Sequence, residues 1–313
     1  MGVGLLDASP VFAGRLRECA GALREFSDVD VEGVLRSGVV LERAEVVQPV
    51  LWAVMVALAE LWGSVGVVPA GVVGHSQGEI AAAVVCGGLS VVDGARVVAL
   101  RSRVLGRLAG RGGMASVSAS VGWVEERLGG FAGVSVAAVN GVAATVVSGP
   151  VGGVEGFVGL CVGEGVWARR IAVDYASHGV GVEEVEGEVR GLVVRPRRSG
   201  VSFFSSVTGG LVDTDVLDGD YWYANLRERV RFVDAVGAAR AAGLGVFVEV
   251  SPHPVLGMNI DGAVVETLRR GEGGLDRFLL SVGGAFVRGV PVEWPGVGGV
   301  SVDVPTYPFQ RQR

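Results

Sequence analysis

A four-residue apolar run, Ala70 to Val73, passes directly into Gly74-His75-Ser76-Gln77-Gly78, and a helical pattern from Glu79 to Cys86 follows. The run is too short for a helix and reads as a core strand, so the chain must turn sharply from strand to helix. That succession predicts an α/β architecture. Glycines would permit the tight turn and close packing, and the helix N-terminus would favour developing negative charge, leaving Ser76 exposed as a nucleophile. With 52 glycines in the chain, chance alone supplies about 0.5 occurrences of Gly-x-Ser-x-Gly, so the flanking strand and helix carry the inference. The competing reading is a buried turn serine satisfied by local backbone groups.

Bulk properties narrow the field. The 313 residues are 50% hydrophobic and 19% charged, ample for a buried core and for one large domain or two unequal ones. A net charge of −6 argues against the electropositive face of nucleic-acid binders, so no nucleic-acid partner is expected. Cys19, Cys86 and Cys161 are odd in number, far apart and without C-x-x-C spacing; neither a disulfide framework nor a cysteine zinc site is expected, and a reducing cytoplasm fits. No metal-ligand cluster and no phosphate loop stand out. Met1 to Leu6 lacks the basic and apolar blocks of a signal peptide, so no export is expected. The longest uncharged stretch, Leu128 to Val154, exceeds a membrane-spanning length, but glycines, Asn140 and Pro150 interrupt it. It reads as strands and turns, with no membrane partner.

Leu51, Val54, Met55, Leu58, Leu61 and Trp62, after Pro49 and before Gly63, are spaced for one face of a buried helix. Ser90 and Asp93 offer a capping box for a helix running toward Leu108, with Arg101 inside it. From Gly112 the texture becomes β-rich: Met114 to Val121 alternates, and Asn140-Gly141 lies as a hairpin signal between Val134 to Val139 and Ala144 to Val147. Helical patterns at Trp123 to Leu128 and Val154 to Cys161 complete an α+β insert. Val182, Val185 and Val189 then suggest an amphipathic helix, Val201 to Phe204 and Val246 to Val250 strands, and Phe232 to Ala242 another helix. The Gly- and Pro-rich tail after Trp294 reads as an extended strap.

A nucleophilic serine needs a base, and His75, His178 and His253 are the imidazoles available. His75 adjoins Ser76, where its side chain should diverge and pack. His253, in Ser251-Pro252-His253-Pro254, reads as a rigid turn residue. His178, in Tyr175-Ala176-Ser177-His178-Gly179, lies at the return from the insert, where a loop can overhang the elbow, and is the expected base. Arg101 shares its helix with Arg96, Arg103 and Arg107, which fits a solvated face. The alternative is a guanidinium that holds a substrate carboxylate bidentately, for which a hydrolase of neutral esters has no use.

These residues resemble the acyltransferase domain of modular type I polyketide synthases, a relative of the malonyl-CoA:acyl carrier protein transacylases. The resemblance runs from Leu5-Leu6-Asp7-Ala8-Ser9-Pro10 through Val47-Gln48-Pro49, Gly74-His75-Ser76-Gln77-Gly78-Glu79 and Ala99-Leu100-Arg101-Ser102-Arg103. It continues through Val139-Asn140-Gly141, Tyr175-Ala176-Ser177-His178 and Glu249-Val250-Ser251-Pro252-His253-Pro254 into Tyr307-Pro308-Phe309.

The resemblance implies an α/β-hydrolase-like large subdomain (1–112 and 179–290) with an inserted ferredoxin-like α+β small subdomain (113–178) and a C-terminal linker (291–313). It implies a Ser76–His178 dyad, with a backbone carbonyl near Arg231, in the segment Asn225-Leu226-Arg227-Glu228-Arg229-Val230-Arg231, orienting the imidazole, Arg101 binding the substrate carboxylate, and the Gln77 N–H at the oxyanion. The implied reaction is ping-pong transfer of an extender unit from acyl-CoA to the phosphopantetheine of an acyl carrier protein. No cofactor is bound, and flanking ketosynthase and linker domains are partners. Tyr175, Ala176 and Ser177 match the methylmalonyl signature where malonyl types show His-Ala-Phe-His, and Gln77 agrees, so methylmalonyl-CoA is the expected substrate. Ethylmalonyl or malonyl transfer, an editing-type acyl hydrolase and an inert structural fragment are the rivals. Relatives begin with a strand containing Pro-Gly-Gln-Gly; this sequence starts downstream of it, so exposed strand edges and thinner oxyanion surroundings are expected. Gly179 also replaces the serine usual after the histidine.

Overall fold

The computed structural model describes residues 2–39 and 42–294, with 303, 305 and 310. Most of the strap beyond Trp294, with Tyr307-Pro308-Phe309, and so most of the 291–313 linker, lies outside the described residues.

Helices α1 (Val3–Ala8), α2 (Pro10–Leu23), α3 (Val31–Ser37) and α4 (Ala44–Gly63) precede strand β1 (Gly71–Val73), which enters the elbow ahead of α5 (Gly78–Val85) and α6 (Val91–Arg107). The insert runs β2 (Gly113–Val117), α7 (Val121–Arg127), β3 (Ser135–Gly141), β4 (Ala144–Gly149), α8 (Val151–Gly163) and β5 (Ala168–Arg170). A 3₁₀ segment (Val180–Val185) and α9 (Glu186–Arg190) bring the chain back. There follow β6 (Ser202–Ser205), β7 (Gly210–Val212), α10 (Gly219–Arg227), α11 (Phe232–Ala241), β8 (Val246–Glu249), β9 (Ala263–Glu266) and α12 (Leu275–Phe286).

The large subdomain carries two small sheets. β1 pairs parallel with β6, which pairs antiparallel with β7, and β8 pairs parallel with β9. β1 is an edge strand of its sheet, with Gly71, Val72 and Val73 half-buried. The insert orders its antiparallel strands β3-β4-β2-β5 with α7 and α8 as crossovers, the βαββαβ arrangement of a ferredoxin-like unit. Leu128 to Val154 is therefore mostly β3 and β4, as its glycines suggest. The helix α4 is long and apolar enough to cross a membrane, yet 61% of that stretch is buried within the fold, as in a core helix.

Local chemistry accounts for many boundaries. Ser9 and Ser90 accept the Phe12 and Asp93 amides at the starts of α2 and α6, each cap contributing about 1 kcal/mol. Pro49, expected ahead of its helix, sits inside α4 instead. An interior proline costs about 3 kcal/mol. Burial of Trp52, Val56 and Leu58 at about 1.5–3 kcal/mol each offsets it. The insert hairpin turns at residues 142 and 143, two positions later than expected, because Asn140 and Gly141 belong to β3 and the Asn140 side chain is engaged elsewhere. The Val182/Val185/Val189 pattern is likewise split into a 3₁₀ segment and a short helix, in a stretch carrying Gly181 and Gly187.

Of four apolar clusters among the described residues, three bear on the placement of the two subdomains. One joins α2, α4, α5 and α6 around Trp52 and Phe12, and a second fills the insert around Phe157 and Val117. The third, with Ala138, Val146, Val230, Phe232 and Val236, lies at the junction of the two subdomains.

Only one of the elbow glycines is demanded by space. A Cβ on Gly74 would lie 2.2 Å from the Glu79 amide nitrogen, whereas one on Gly78 would meet nothing within 4 Å. Gly74→Ala should therefore lower unfolding free energy by about 3 kcal/mol or more. Gly78→Ala should leave it within about 1 kcal/mol of the parent. Urea unfolding of both variants checks the contrast, and equal losses would contradict it.

Candidate active site

The tight turn after β1 places Ser76 at φ +53° and hands the chain to α5. His178 also has a left-handed backbone, φ +60°, and its amide donates to the Leu226 carbonyl at 2.9 Å. Such conformations cost about 1–3 kcal/mol each for non-glycine residues and persist only where the surroundings enforce them. They bring Ser76 Oγ and His178 Nε2 to 2.8 Å. His178 Nδ1 lies 2.9 Å from the Glu228 carbonyl, which can only accept, so the ring carries its proton on Nδ1 and leaves Nε2 free to accept from the hydroxyl.

The orienting carbonyl is that of Glu228, inside the expected segment Asn225 to Arg231 and three residues before Arg231 itself. The Arg231 carbonyl is taken by the Ala235 amide at the start of α11, and its guanidinium turns to Asp234 and the Thr208 carbonyl. The segment after Glu228 is clamped to the insert: the Val139 amide of β3 donates to the Val230 carbonyl at 2.9 Å, and the Val230 amide donates to the Ala137 carbonyl at 2.8 Å.

Arg101 is 5% exposed, which removes the solvated-face reading, while its neighbours Arg96 and Arg107 bind the Val193 carbonyl and Glu188. Its Nη2 donates to Ser76 Oγ at 2.8 Å and its Nη1 to Asn225 Oδ1 at 2.9 Å. Nε is buried without a partner. Asn225 also donates to the Ser76 carbonyl at 3.2 Å and to Glu79 Oε2 at 2.8 Å. Glu79 is fully buried; Tyr221, Ser206 and Asn225 all bond to it, yet burial still pushes its carboxyl above the usual range. Burial, then the Arg101 charge, depresses His178 to about 3, and burial lowers Arg101 to about 10, so near neutrality the imidazole is uncharged and the guanidinium is charged.

The remaining expected residues surround this core. Gln77 lies at the N-terminus of α5, its amide without an acceptor among the described residues, and its Oε1 is buried and unpaired. Tyr175 OH accepts from Gln48 Nε2 at 3.5 Å, and Ser177, buried, points Oγ at Met114 Sδ at 3.6 Å. Ala176 packs on Gly112, where a Cβ would come within 2.5 Å of it. A Cβ on Gly179 would meet Ser135 Oγ at 2.9 Å, so any side chain there displaces that hydroxyl. His75 packs against Phe232 and bonds through Nε2 to Asn140 Oδ1 at 2.8 Å, tying the elbow to the insert. His253 accepts from the Arg270 amide in a turn. A groove of about 610 Å³ runs between the subdomains past Val139, Gly141, Val207, Glu228 and Arg229.

Asn225, Glu79, Asn140 and Gln48 are residues to which sequence reasoning assigns no part in the site, Asn140 reading there as a turn residue. Glu79 offered one signal: a lone carboxylate at the start of an otherwise apolar helix must find buried partners.

Residues 1–289 match the family described as the acyl transferase domain. The chain is 53% identical, over 99% of its length, to Polyketide synthase GfsE of Streptomyces halstedii, but spans only 8% of that relative. It superposes on the acyltransferase domain from module 8 of the salinomycin polyketide synthase with a TM-score of 0.90 and 49% identity, covering 94% of this chain and 73% of that one. A loading acyltransferase from the avermectin modular polyketide synthase gives 0.89 at 45% identity, covering 92% and 95%. These likenesses agree with an α/β-hydrolase-like fold carrying a ferredoxin-like subdomain.

An imidazole that is neutral down to about pH 3 makes a specific demand on reactivity. Ester cleavage by Ser76 with p-nitrophenyl acetate, a neutral probe, should keep kcat/KM flat from about pH 8 to about pH 5. Arg101→Leu removes a charge that disfavours imidazolium, so the acid limb should move to higher pH. A parent limb near the ordinary histidine value, about pH 6.5, would contradict the buried neutral ring.

Proposed function

The chain belongs to the acyl transferase domain family, and from that premise we propose that it moves a methylmalonyl unit from coenzyme A to the phosphopantetheine thiol of an acyl carrier protein in polyketide assembly. The observation that carries this reading is the buried Arg101 guanidinium, 2.8 Å from Ser76 Oγ, whose hydrogen-bond partners are a hydroxyl and a carboxamide. A buried cation without a bonded anion costs several kcal/mol, and an acyl group bearing its own carboxylate supplies the anion. A neutral acyl group does not.

In the proposed reaction Ser76 Oγ attacks the thioester carbonyl as His178 Nε2 takes its proton, and the Glu228 carbonyl, bonded to Nδ1–H, steadies the imidazolium. The free Gln77 N–H at the start of α5 stabilises the oxyanion. The C–S bond breaks, His178 returns the proton to the CoA sulfur, and an acyl ester remains on Ser76. The carrier thiol then attacks that ester, giving its proton to His178, which passes it to Ser76 Oγ as the C–O bond breaks. Acyl-CoA and the carrier arm are the two substrates; no bound cofactor enters. Carrier protein and flanking synthase domains are the proposed partners, in the cytoplasm.

Preference for methylmalonyl rests on Tyr175, Ser177 and Gln77. Ser177 stands where malonyl-type relatives carry a phenylalanine ring, leaving room for an α-methyl group. One methyl is worth about 1–3 kcal/mol of discrimination, so a preference and not an absolute exclusion is expected.

Intact-mass analysis after mixing with methylmalonyl-, ethylmalonyl-, malonyl- or propionyl-CoA tests this. A methylmalonyl adduct that Ser76→Ala abolishes is expected, discharged by carrier protein faster than by water. Turnover to free acid would identify a hydrolase, and no adduct with any donor an inert domain. Arg101→Ala should lower kcat/KM for methylmalonyl-CoA about 100-fold while sparing propionyl-CoA. Tyr175→His with Ser177→Phe should shift preference toward malonyl-CoA by about 10- to 200-fold.

A further inference from the structure

Asn225 has no part in the proton transfers above, yet it links the guanidinium, the elbow backbone and a buried carboxyl group. We propose that Asn225 is a positioning residue that fixes which edge of Arg101 faces substrate, so that Nε and Nη2 grip the acyl carboxylate side-on. The inference rests on the dicarboxylic transfer proposed above and deepens it.

The carboxamide has one orientation open to it. Arg101 only donates and the Ser76 carbonyl only accepts, so Oδ1 must face Nη1 and Nδ2 must face the elbow, as observed at 2.9 and 3.2 Å. Nδ2 also reaches Glu79 Oε2 at 2.8 Å, and Tyr221 and Ser206 hold that carboxyl group in turn. Asn225 is 2% exposed, so water offers little competition for these bonds.

A guanidinium can meet a carboxylate end-on, through Nη1 and Nη2, or side-on, through Nε and Nη2. Asn225 Oδ1 accepts from Nη1, so a carboxylate meeting the end-on edge would have to share that nitrogen with the carboxamide. Together with Arg101, Val97, Leu100, Trp222 and Leu226 line a space of about 10 Å³, which has room for about one water and none for a carboxylate. The side-on edge leaves the carboxamide undisturbed. Its Nε is buried without a partner and its Nη2 already touches Ser76 Oγ at 2.8 Å. A carboxylate bound there lies beside the attacking oxygen, where the α-carboxylate of a dicarboxylic thioester belongs.

Calorimetric titration of Ser76→Ala protein with methylmalonyl-CoA and propionyl-CoA reads the grip without chemistry. Adding Asn225→Ala should cut the ratio of the two affinities about 10- to 100-fold. In the Ser76→Ala/Arg101→Ala background the same change should leave the ratio alone, because Asn225 acts through Arg101. A ratio that moves less than twofold in the first background, or falls further in the second, overturns the proposal. If Asn225→Ala fails to fold, ¹⁵N-arginine-labelled Ser76→Ala protein decides: the Arg101 Nε–H resonance should move downfield on adding methylmalonyl-CoA, and an unmoved Nε–H overturns the side-on assignment. The parent's adduct assay separates the two readings. A normal methylmalonyl adduct with an unresponsive ratio sinks this inference alone, whereas a responsive ratio without any adduct sinks the transfer reaction alone.

Discussion

One hydroxyl, held between an imidazole and a guanidinium at 2.8 Å from each, is the point around which the fold is arranged. Keeping it there is costly. Ser76 and His178 both adopt left-handed backbone, and Arg101 is buried with its charge. Local bonds alone do not offset such terms. They are borne by contacts that cannot yield: the approach of Gly74 to the Glu79 amide, the main-chain bond from His178 to Leu226, and the joint between β3 and Val230. The insert is therefore more than a lid. Through Val230 it holds the loop that presents the Glu228 carbonyl, and through Asn140 it holds the elbow by His75.

The electrostatics of the site change sign of purpose when an anion enters. Burial, and after it the charge of Arg101 with nothing anionic bonded to it, holds the nearby imidazole neutral and a weak base. The same guanidinium donates to Ser76 Oγ and favours its ionised form. In the proposed transfer, a bound carboxylate would cancel part of the guanidinium's field and return to His178 the part of its basicity that the Arg101 charge removes, when a thioester is in place to be attacked. A neutral acyl group leaves the field uncompensated. Discrimination between the two thus acts on the chemical step as well as on binding.

Much of this was legible in the sequence because it is encoded locally. Gly74 to Gly78 between a strand and a helix, the Ser90 cap, the alternation of the insert and the placement of His178 after it all depend on neighbours in the chain. What was not legible depends on distant partners. The arginine-rich helix pattern around Arg101 is the same whether the residue faces water or Asn225, and only packing of α10 against α6 decides it. Asn140-Gly141 has good turn chemistry, but the His75 bond draws Asn140 into the strand and moves the turn onward. Pro49 marks a helix start in isolation and an interior position once α4 has a large face to bury. The sequence narrows the orienting carbonyl to the segment Asn225 to Arg231, where any backbone unit could serve, and the pairing of Val230 with β3 selects Glu228.

The choice of a carbonyl to orient His178 follows from the same charge balance. A carboxylate behind the imidazole would stabilise the imidazolium more strongly, but it would also place a second fixed anion in a buried site with Arg101. The guanidinium would then have a permanent partner for its field, and a substrate carboxylate would have to compete with it. A carbonyl dipole fixes the ring's tautomer while leaving the net charge unchanged. Glu79 touches the guanidinium only through Asn225: burial raises its pKa, and its two oxygens accept from Tyr221, Ser206 and Asn225 and not from Arg101. The one strong charge the fold retains at the hydroxyl is positive, which is the condition for an acyl group that carries its own negative charge to be recognised there.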